Sequence, residues 1–162
     1  RLVSYKRLDI VIQAFNQLGL PLVIIGDGRQ KRELKSLALS NIEFIDRHLT
    51  DSELVRYYEG CRAFIYAADE DFGLAAAEAH AVGIPVIAYR QSGVAEIVEE
   101  HVTGVLFAAQ TTDSLIQAVT SFQSENFSEA ASRKQVEDMS ERRFRKRMHT
   151  LVSSLYQKHK HI

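Results

Sequence analysis

The sequence predicts an α/β fold: a doubly wound parallel sheet with helices on both faces, followed by C-terminal helices. Three observations predict it. Strand-like and helix-like segments alternate along the chain, strand-like runs such as Leu22 to Ile25 are short and continuously apolar, and glycine-bearing turns follow several of them. Alternation implies crossover connections and parallel pairing. Continuous apolar runs suit strands covered on both faces.

The elements follow in order. Arg1-Leu2-Val3 reads as the middle or end of a strand, and the chain is expected to be part of a longer protein. Leu8 to Leu18 carries apolar residues at helical spacing, with Gly19 as its stop. Leu22 to Ile25 is a strand, and Gly26-Asp27-Gly28 turns the chain into a charged helix from Arg29 to Leu39. Ile42 to Ile45 is the next strand. Thr50-Asp51-Ser52 supplies cap residues for a helix through Tyr57 and Tyr58 that ends at Gly60. Ala63 to Tyr66 is a strand, Phe72 to Val82 a helix stopped by Gly83-Ile84-Pro85, and Pro85 to Tyr89 a strand. A short helix over Val94 to Val98, a strand over Val105 to Phe107 and a helix from Thr111-Thr112-Asp113 to Phe122 complete the alternation. Gln123 to Glu129 is linker-like, and Ser128 to His161 reads as helical throughout. Two segments result: a ligand-binding unit over residues 1–122 and a helical segment over 123–162.

Composition narrows the class. The chain has 162 residues, 46% hydrophobic and 25% charged, as in an ordinary globular domain. A formal net charge of -1 lacks the basic excess of a nucleic-acid binder. No apolar run reaches the ~20 residues of a membrane-spanning helix. The single cysteine, Cys61, forms no intrachain disulfide and fits a reducing, cytoplasmic setting.

Chemistry concentrates in Asp69 to Ala88. Glu70 falls in the loop after a strand, and Glu78 falls on the helix that follows, seven residues lying between them. Phe72-Gly73-Leu74 makes the turn into that helix. A helix N-terminus offers unpaired N–H groups and partial positive charge to a phosphate. Gly73 lets a ligand approach the backbone, and two carboxylates at different depths can accept bonds from two sets of hydroxyls.

These residues resemble the Glu-x₇-Glu motif of family-4 retaining glycosyltransferases, the glycosyl transferases group 1. That pattern runs E-x-F-G-x-x-x-x-E-A-x-A-x-G-x-P-V-I-A. It is met by Glu70, Phe72, Gly73, Glu78, Ala79, Ala81, Gly83, Pro85, Val86, Ile87 and Ala88. Arg1 to Arg7 is similar to the family's G-R-L-x-x-x-K segment, and Val23 to Gly28 to its V-I-G-D-G turn. Gly93, Glu96 and Thr103-Gly104 fit a further stretch. The Tyr5-Lys6-Arg7 and Glu70-Asp71-Phe72-Gly73 wording is similar to bacterial mannosyltransferase-like members that build surface polysaccharides.

The resemblance implies the C-terminal, donor-binding half of a GT-B enzyme, a Rossmann-like domain that binds a UDP-sugar or GDP-sugar without cofactor or metal. Arg1 and Lys6 would hold the donor diphosphate and stabilise the charge that grows on it as the sugar leaves. Glu70 would lie by the sugar and Glu78 on the ribose hydroxyls. Backbone at Gly73, Leu74 and Ala75, beside Phe72, would reach the sugar and the β-phosphate. Gly26 and Gly28 would shape the donor turn, and Asp46 and Arg47 would flank the base. The acceptor, a polysaccharide or glycolipid, would bind mainly on an N-terminal domain of the same protein.

The chain departs from the pattern at Asp46, where the family has Gly, at Ala67-Ala68 for Pro or Ser, at Ser92-Gly93 for paired glycines, and at His80 for Met.

Other readings of single features are plainer. Asp69-Glu70-Asp71 spells an Asp-x-Asp, the metal signature of another glycosyltransferase fold, but sits inside the better-matched frame. Gly26 and Gly28 lack the third glycine of a redox dinucleotide fingerprint, Lys31 standing in its place. Cys61 reads as a structural thiol, and His159 and His161 as tail. Arg142 to Lys160 carries Phe144, Met148, Leu151, Val152 and Leu155 at helical spacing with basic flanks. Such a helix packs back on the N-terminal domain, the favoured reading, or touches anionic lipid at the inner face of the membrane. A sugar-nucleotide epimerase-like domain and a non-enzymatic α/β nucleotide-binding module remain as competing functions.

Overall fold

A computed structural model describes residues 1–123 and 126–159. The linker expected at Gln123 to Glu129 lies in part outside the described residues, as does His161 in the expected tail. The chain alternates as predicted: α1 (Leu8–Leu18), β1 (Leu22–Ile25), α2 (Lys31–Leu37), β2 (Ile42–Ile45), α3 (Asp51–Gly60), β3 (Phe64–Tyr66), α4 (Leu74–Val82), β4 (Val86–Tyr89), β5 (Gly104–Phe107), α5 (Thr112–Gln123), α6 (Glu129–Val136) and α7 (Glu141–His159). All strand pairs are parallel: β1 with β2 in one ladder, and β3, β4 and β5 in another.

Side-chain alternation along the strands makes the two-faced architecture. Ile87 and Tyr89 of β4 join one core with Ile24, Val105 and Phe107, covered by α1, α2 and α5. Val86 and Ala88 face the other way into a second core with Tyr66, Ala76, Ala79, Val94 and Ile97. Residues of both ladders share the first core, so the strands act as one layer between helices. Full burial of a side chain such as Ile12 is worth about 2 kcal/mol.

Local chemistry sets the boundaries. Thr50 and Glu53 form a reciprocal capping box at the start of α3. Gly19 closes α1 in the left-handed region, at φ +66. The helix expected from Phe72 begins two residues later, because Gly73 takes φ +73 and serves as N-cap. The helix expected over Arg29 to Leu39 shortens to α2, Ala38 being extended.

Three further expectations change. Arg1–Val3 is not a strand: Leu2 spends its N–H on Asp27 O and its carbonyl on Gln30 N–H, packing beneath the Gly26–Gly28 turn. Val94 to Val98 is a 3-10 turn over Gly93–Ile97. The C-terminal segment is broken by a 3-10 turn at Glu137–Met139 and by extended Ser140. There Glu137 and Asp138 pair with Arg143 and Arg147 of the next helix. Consequently α6 packs on α4, burying Ser132 and Val136, whereas α7 buries no residue.

Candidate functional site

An open cleft of about 710 Å³ lies where β3 ends and α4 begins, at the carboxyl end of a parallel strand where such folds bind ligands. Tyr5, Lys6, Asp69, Glu70, Asp71, Phe72, Gly73, Leu74, Ala75 and Glu78 line it.

Lys6 arrives from a distance. Ser4–Lys6 is a 3-10 turn, and Arg7 follows at φ +49 in the left-handed region. That conformation costs a non-glycine residue about 1 kcal/mol or more. Arg7 is tied by its guanidinium to Asp9, 3.1 Å away. The reversal presents Lys6 to the cleft, where Nζ stands 2.7 Å from Glu70 Oε2 and 5.4 Å above the Tyr66 ring.

Glu70 is held from several sides. The Tyr66 phenol donates to the same Oε2, and the Glu70 carbonyl accepts from Gly93 N–H at 2.8 Å. A Cβ on Gly93 would run into the Asp71 carbonyl, so only glycine lets the 3-10 turn close on this loop. Gly73 is equally constrained: a Cβ there would meet Val94 and the Tyr66 ring. The N–H groups of Leu74 and Ala75 open α4 and face no preceding turn, while Ala76 N–H already reaches Gly73 O at 2.9 Å. Phe72 and Leu74 stand exposed at the rim.

Glu78, one turn into α4, accepts from the Tyr58 phenol of α3 at 3.3 Å; the same hydroxyl lies 3.2 Å from Ala75 O. Burial, with the Glu78 charge second, pushes the Tyr58 phenol well above the usual tyrosine range.

The structure thus brings Lys6, Glu70, Phe72, Gly73, Leu74, Ala75 and Glu78 together. Arg1, Gly26, Gly28, Asp46 and Arg47 do not line the cleft. Arg1 is exposed beside the buried Leu2. Gly26, at φ +134, follows β1 and donates to Ile45 O, and Gly28 packs on the Leu2 backbone. Asp46 follows β2, 2.9 Å from both Lys31 and Lys35; these ammonium groups hold its carboxyl down to about 2. Arg47 is turned to Glu53 at 2.7 Å.

Sequence reasoning missed Tyr5, Tyr58 and Tyr66. Their signal was faint: Tyr66 is the one phenol ending an otherwise apolar strand four residues before Glu70, and Tyr58 ends an amphipathic helix. Among the described residues, no group of three or more His, Cys, Asp and Glu side chains converges for a metal ion.

The model of the family described as Glycosyl transferases group 1 matches residues 1–143. An uncharacterized glycosyltransferase of Methanocaldococcus jannaschii is 30% identical over 122 residues, covering 72% of this chain and 34% of that protein. The O-antigen chain mannosyltransferase C of Escherichia coli is 27% identical over 123 residues, covering 71% and 33%. Among solved structures, the sucrose-phosphate synthase of Thermosynechococcus elongatus superposes with a TM-score of 0.82 at 23% identity, over 98% of this chain and 44% of that one. HepE of Anabaena in complex with UDP-glucose superposes with a TM-score of 0.79 at 20% identity, over 95% and 47%. The chain therefore spans about a third of the two relatives and just under half of the two solved chains. These likenesses show the fold as one Rossmann-like half of the GT-B arrangement.

Proposed function

Since the chain belongs to the glycosyl transferases group 1 family, we propose that it is the donor-binding domain of a retaining, metal-independent glycosyltransferase that moves a hexose from a nucleoside diphosphate to a polysaccharide or glycolipid acceptor. The observation that carries this reading is the cleft itself. It joins Lys6, the carboxylates of Glu70 and Glu78, with Asp69 and Asp71 beside them, and the N-terminus of α4 within one cavity.

Each group has a physical task. Lys6 and the Leu74 and Ala75 N–H groups offer positive charge to the diphosphate, charge that gains value as the sugar–oxygen bond breaks. Glu70 accepts hydroxyls of the sugar, and Glu78 those of the ribose. Gly73, left-handed at φ +73, makes the turn that opens α4 beside the cleft. The family resemblance alone assigns Arg1 to the diphosphate and the turns at Gly26–Gly28 and Asp46–Arg47 to the base; none of these residues lines the cleft. The family match favours a transferase over the epimerase-like domain and the non-enzymatic module.

The acceptor-binding half meets this domain along the unburied α7. Phe144, Met148, Leu151, Val152 and Leu155 are all exposed there. The basic flanks Arg142, Arg145 and Lys146 favour a second reading, contact with anionic lipid at the inner, cytoplasmic face of a membrane. Transfer requires both halves, so this domain by itself is expected to bind donor without turnover.

Calorimetric titration with UDP and GDP, with and without EDTA, tests the reading. One nucleotide is expected to bind regardless of chelator and to bind about tenfold more weakly to Glu78→Ala. Binding of neither, or binding lost with EDTA, would overturn it.

A further inference from the structure

We propose that two buried phenols, Tyr66 and Tyr58, are positioning residues for the two carboxylates of the cleft, Tyr66 setting Glu70 toward the sugar and Tyr58 setting Glu78 toward the ribose. The proposal rests on the donor-binding reading above and adds to it the source of the carboxylates' orientation.

A carboxylate can accept several hydrogen bonds, and on a rotatable side chain its plane is undefined until something fixes it. Both tyrosines are well suited to fix one. Tyr66 is 4% exposed and Tyr58 8%, and each ring is held by aromatic neighbours: Phe64 lies 6.4 Å from Tyr66 and 5.7 Å from Tyr58 by ring centroids. Neither phenol lines the cleft; each hydroxyl reaches a carboxylate that does. Tyr66 donates to Glu70 Oε2, which also accepts from Lys6. Oε1 is then the oxygen left toward a ligand. Tyr58 donates to Glu78 Oε2 while lying within reach of Ala75 O, so its position is tied to the backbone of the first turn of α4.

The phenols also lie beneath the phosphate-binding turn. The absent Cβ of Gly73 is what leaves room for the Tyr66 hydroxyl, 3.2 Å from where that atom would be. One ring thus supports the turn, the sugar carboxylate and, through its face, the Lys6 ammonium. Phe64, between the two rings, links the pair into one rigid wall.

Removing a hydroxyl while keeping the ring separates positioning from packing. The chain and its Tyr66→Phe and Tyr58→Phe variants are titrated with UDP, UDP-glucose and 2′-deoxy-UDP, or with GDP, GDP-mannose and 2′-deoxy-GDP where the guanine nucleotide is the one bound. Tyr66→Phe is expected to shift the ratio of sugar-nucleotide to nucleotide affinity about tenfold against the sugar nucleotide, with nucleotide affinity unchanged. Tyr58→Phe is expected to narrow the preference for the ribonucleotide over its 2′-deoxy form about tenfold and to leave the sugar ratio alone. Glu70→Gln shifts the same ratio as Tyr66→Phe, and the double variant adds nothing further.

The crossed pattern is one that general loosening does not produce. Unchanged ratios in both variants overturn the proposal. So do affinities that fall together with the thermal midpoint. A wild-type chain that binds no nucleotide removes the donor-binding reading and this proposal with it, a result distinct from unchanged ratios in a chain that binds.

Discussion

Lys6 Nζ lies 2.7 Å from Glu70 Oε2, an ion pair that joins the turn before α1 to the loop before α4. The side chains are 26% and 25% exposed. A pair so open to water contributes about 1 kcal/mol or less to stability. Its significance is spatial. The carboxylate holds the ammonium at the cleft, where the proposed donor diphosphate would meet it.

Lys6→Ala is therefore expected to leave folding nearly intact and to weaken donor binding. The thermal midpoint should fall by no more than about 2–4 °C. If Lys6 holds the outer phosphate as proposed, UDP or GDP affinity should fall about tenfold or more, and affinity for the corresponding monophosphate much less. Equal losses for diphosphate and monophosphate, measured by calorimetry, would place Lys6 elsewhere.

Two glycines with similar backbone angles should respond differently to alanine. Gly19, at φ +66, has no atom within 4 Å of an added Cβ, whereas Gly73, at φ +73, has Val94 and Tyr66 in the way. Gly19→Ala bears only the left-handed conformational cost, about 1 kcal/mol. Gly73→Ala adds overpacking of a further ~1–3 kcal/mol and displaces the turn that receives phosphate. Urea denaturation is expected to show the larger loss at Gly73, with nucleotide binding lost there alone.

The alternation of elements was legible because most strands are continuous apolar runs, such as Leu22–Ile25 and Val86–Tyr89, and because α1, α3 and α4 carry a capping box or a glycine stop. The cleft was legible only along the chain: Glu70, Gly73 and Glu78 are close in sequence and follow one strand into one helix. What joins them from outside was hidden. Tyr58 reaches Glu78 from a neighbouring helix, and no local pattern announces a hydroxyl that acts across a helix–helix contact. The continuous C-terminal helix was misread because no glycine or proline marks the break at Glu137–Met139. Across that turn Glu137 and Asp138 pair with Arg143 and Arg147. Arg1–Val3 was misread because an apolar Leu2 under a turn looks the same in sequence as an apolar residue in a strand.

His80 is expected to make folding pH-dependent below about pH 6.5. It is fully buried on α4, with Nδ1 3.1 Å from Ile84 O. Burial pushes its pKa below 6.5, against the raising effect of the Ile84 and Ile97 carbonyls. The unfolded chain then binds a proton that the folded chain refuses. The contribution of neutral His80 is present above about pH 6.5 and is lost as pH falls toward the lower folded value. Urea midpoints at about pH 7.5 and about pH 5 should show a weaker chain at the lower pH, and His80→Met should narrow the difference.

At lower pH the cap of α3 takes over. Glu53 is held down to about 2, first by Arg47 and then by the backbone and hydroxyl of Thr50. Its contribution is present above the ordinary value of 4.5 and is lost as pH falls through about 2. Helix content between pH about 5 and about 2 is expected to fall in the wild type and to change less in Glu53→Gln, which starts lower and has no charge to lose. Matching acid profiles would show that Arg47 and Thr50 do not stabilise the carboxylate.

Helix α7 is expected to be dispensable for the fold of this domain, since none of its side chains is buried. None of its 19 residues is buried, and Phe144, Leu151, Val152 and Leu155 are each more than half exposed. A helix with no buried face draws little stability from tertiary packing, and its ties to the domain include exposed pairs at Glu137 and Asp138. A chain ending at Ser140 is therefore expected to keep its urea midpoint to within about 1 kcal/mol and its nucleotide affinity unchanged. Hydrogen exchange should find α7 amides unprotected in the domain alone and protected once the acceptor-binding half is present. Protection in the domain alone would mean that the stripe is already covered, and protection only on anionic vesicles would mean that lipid, and not protein, is its partner.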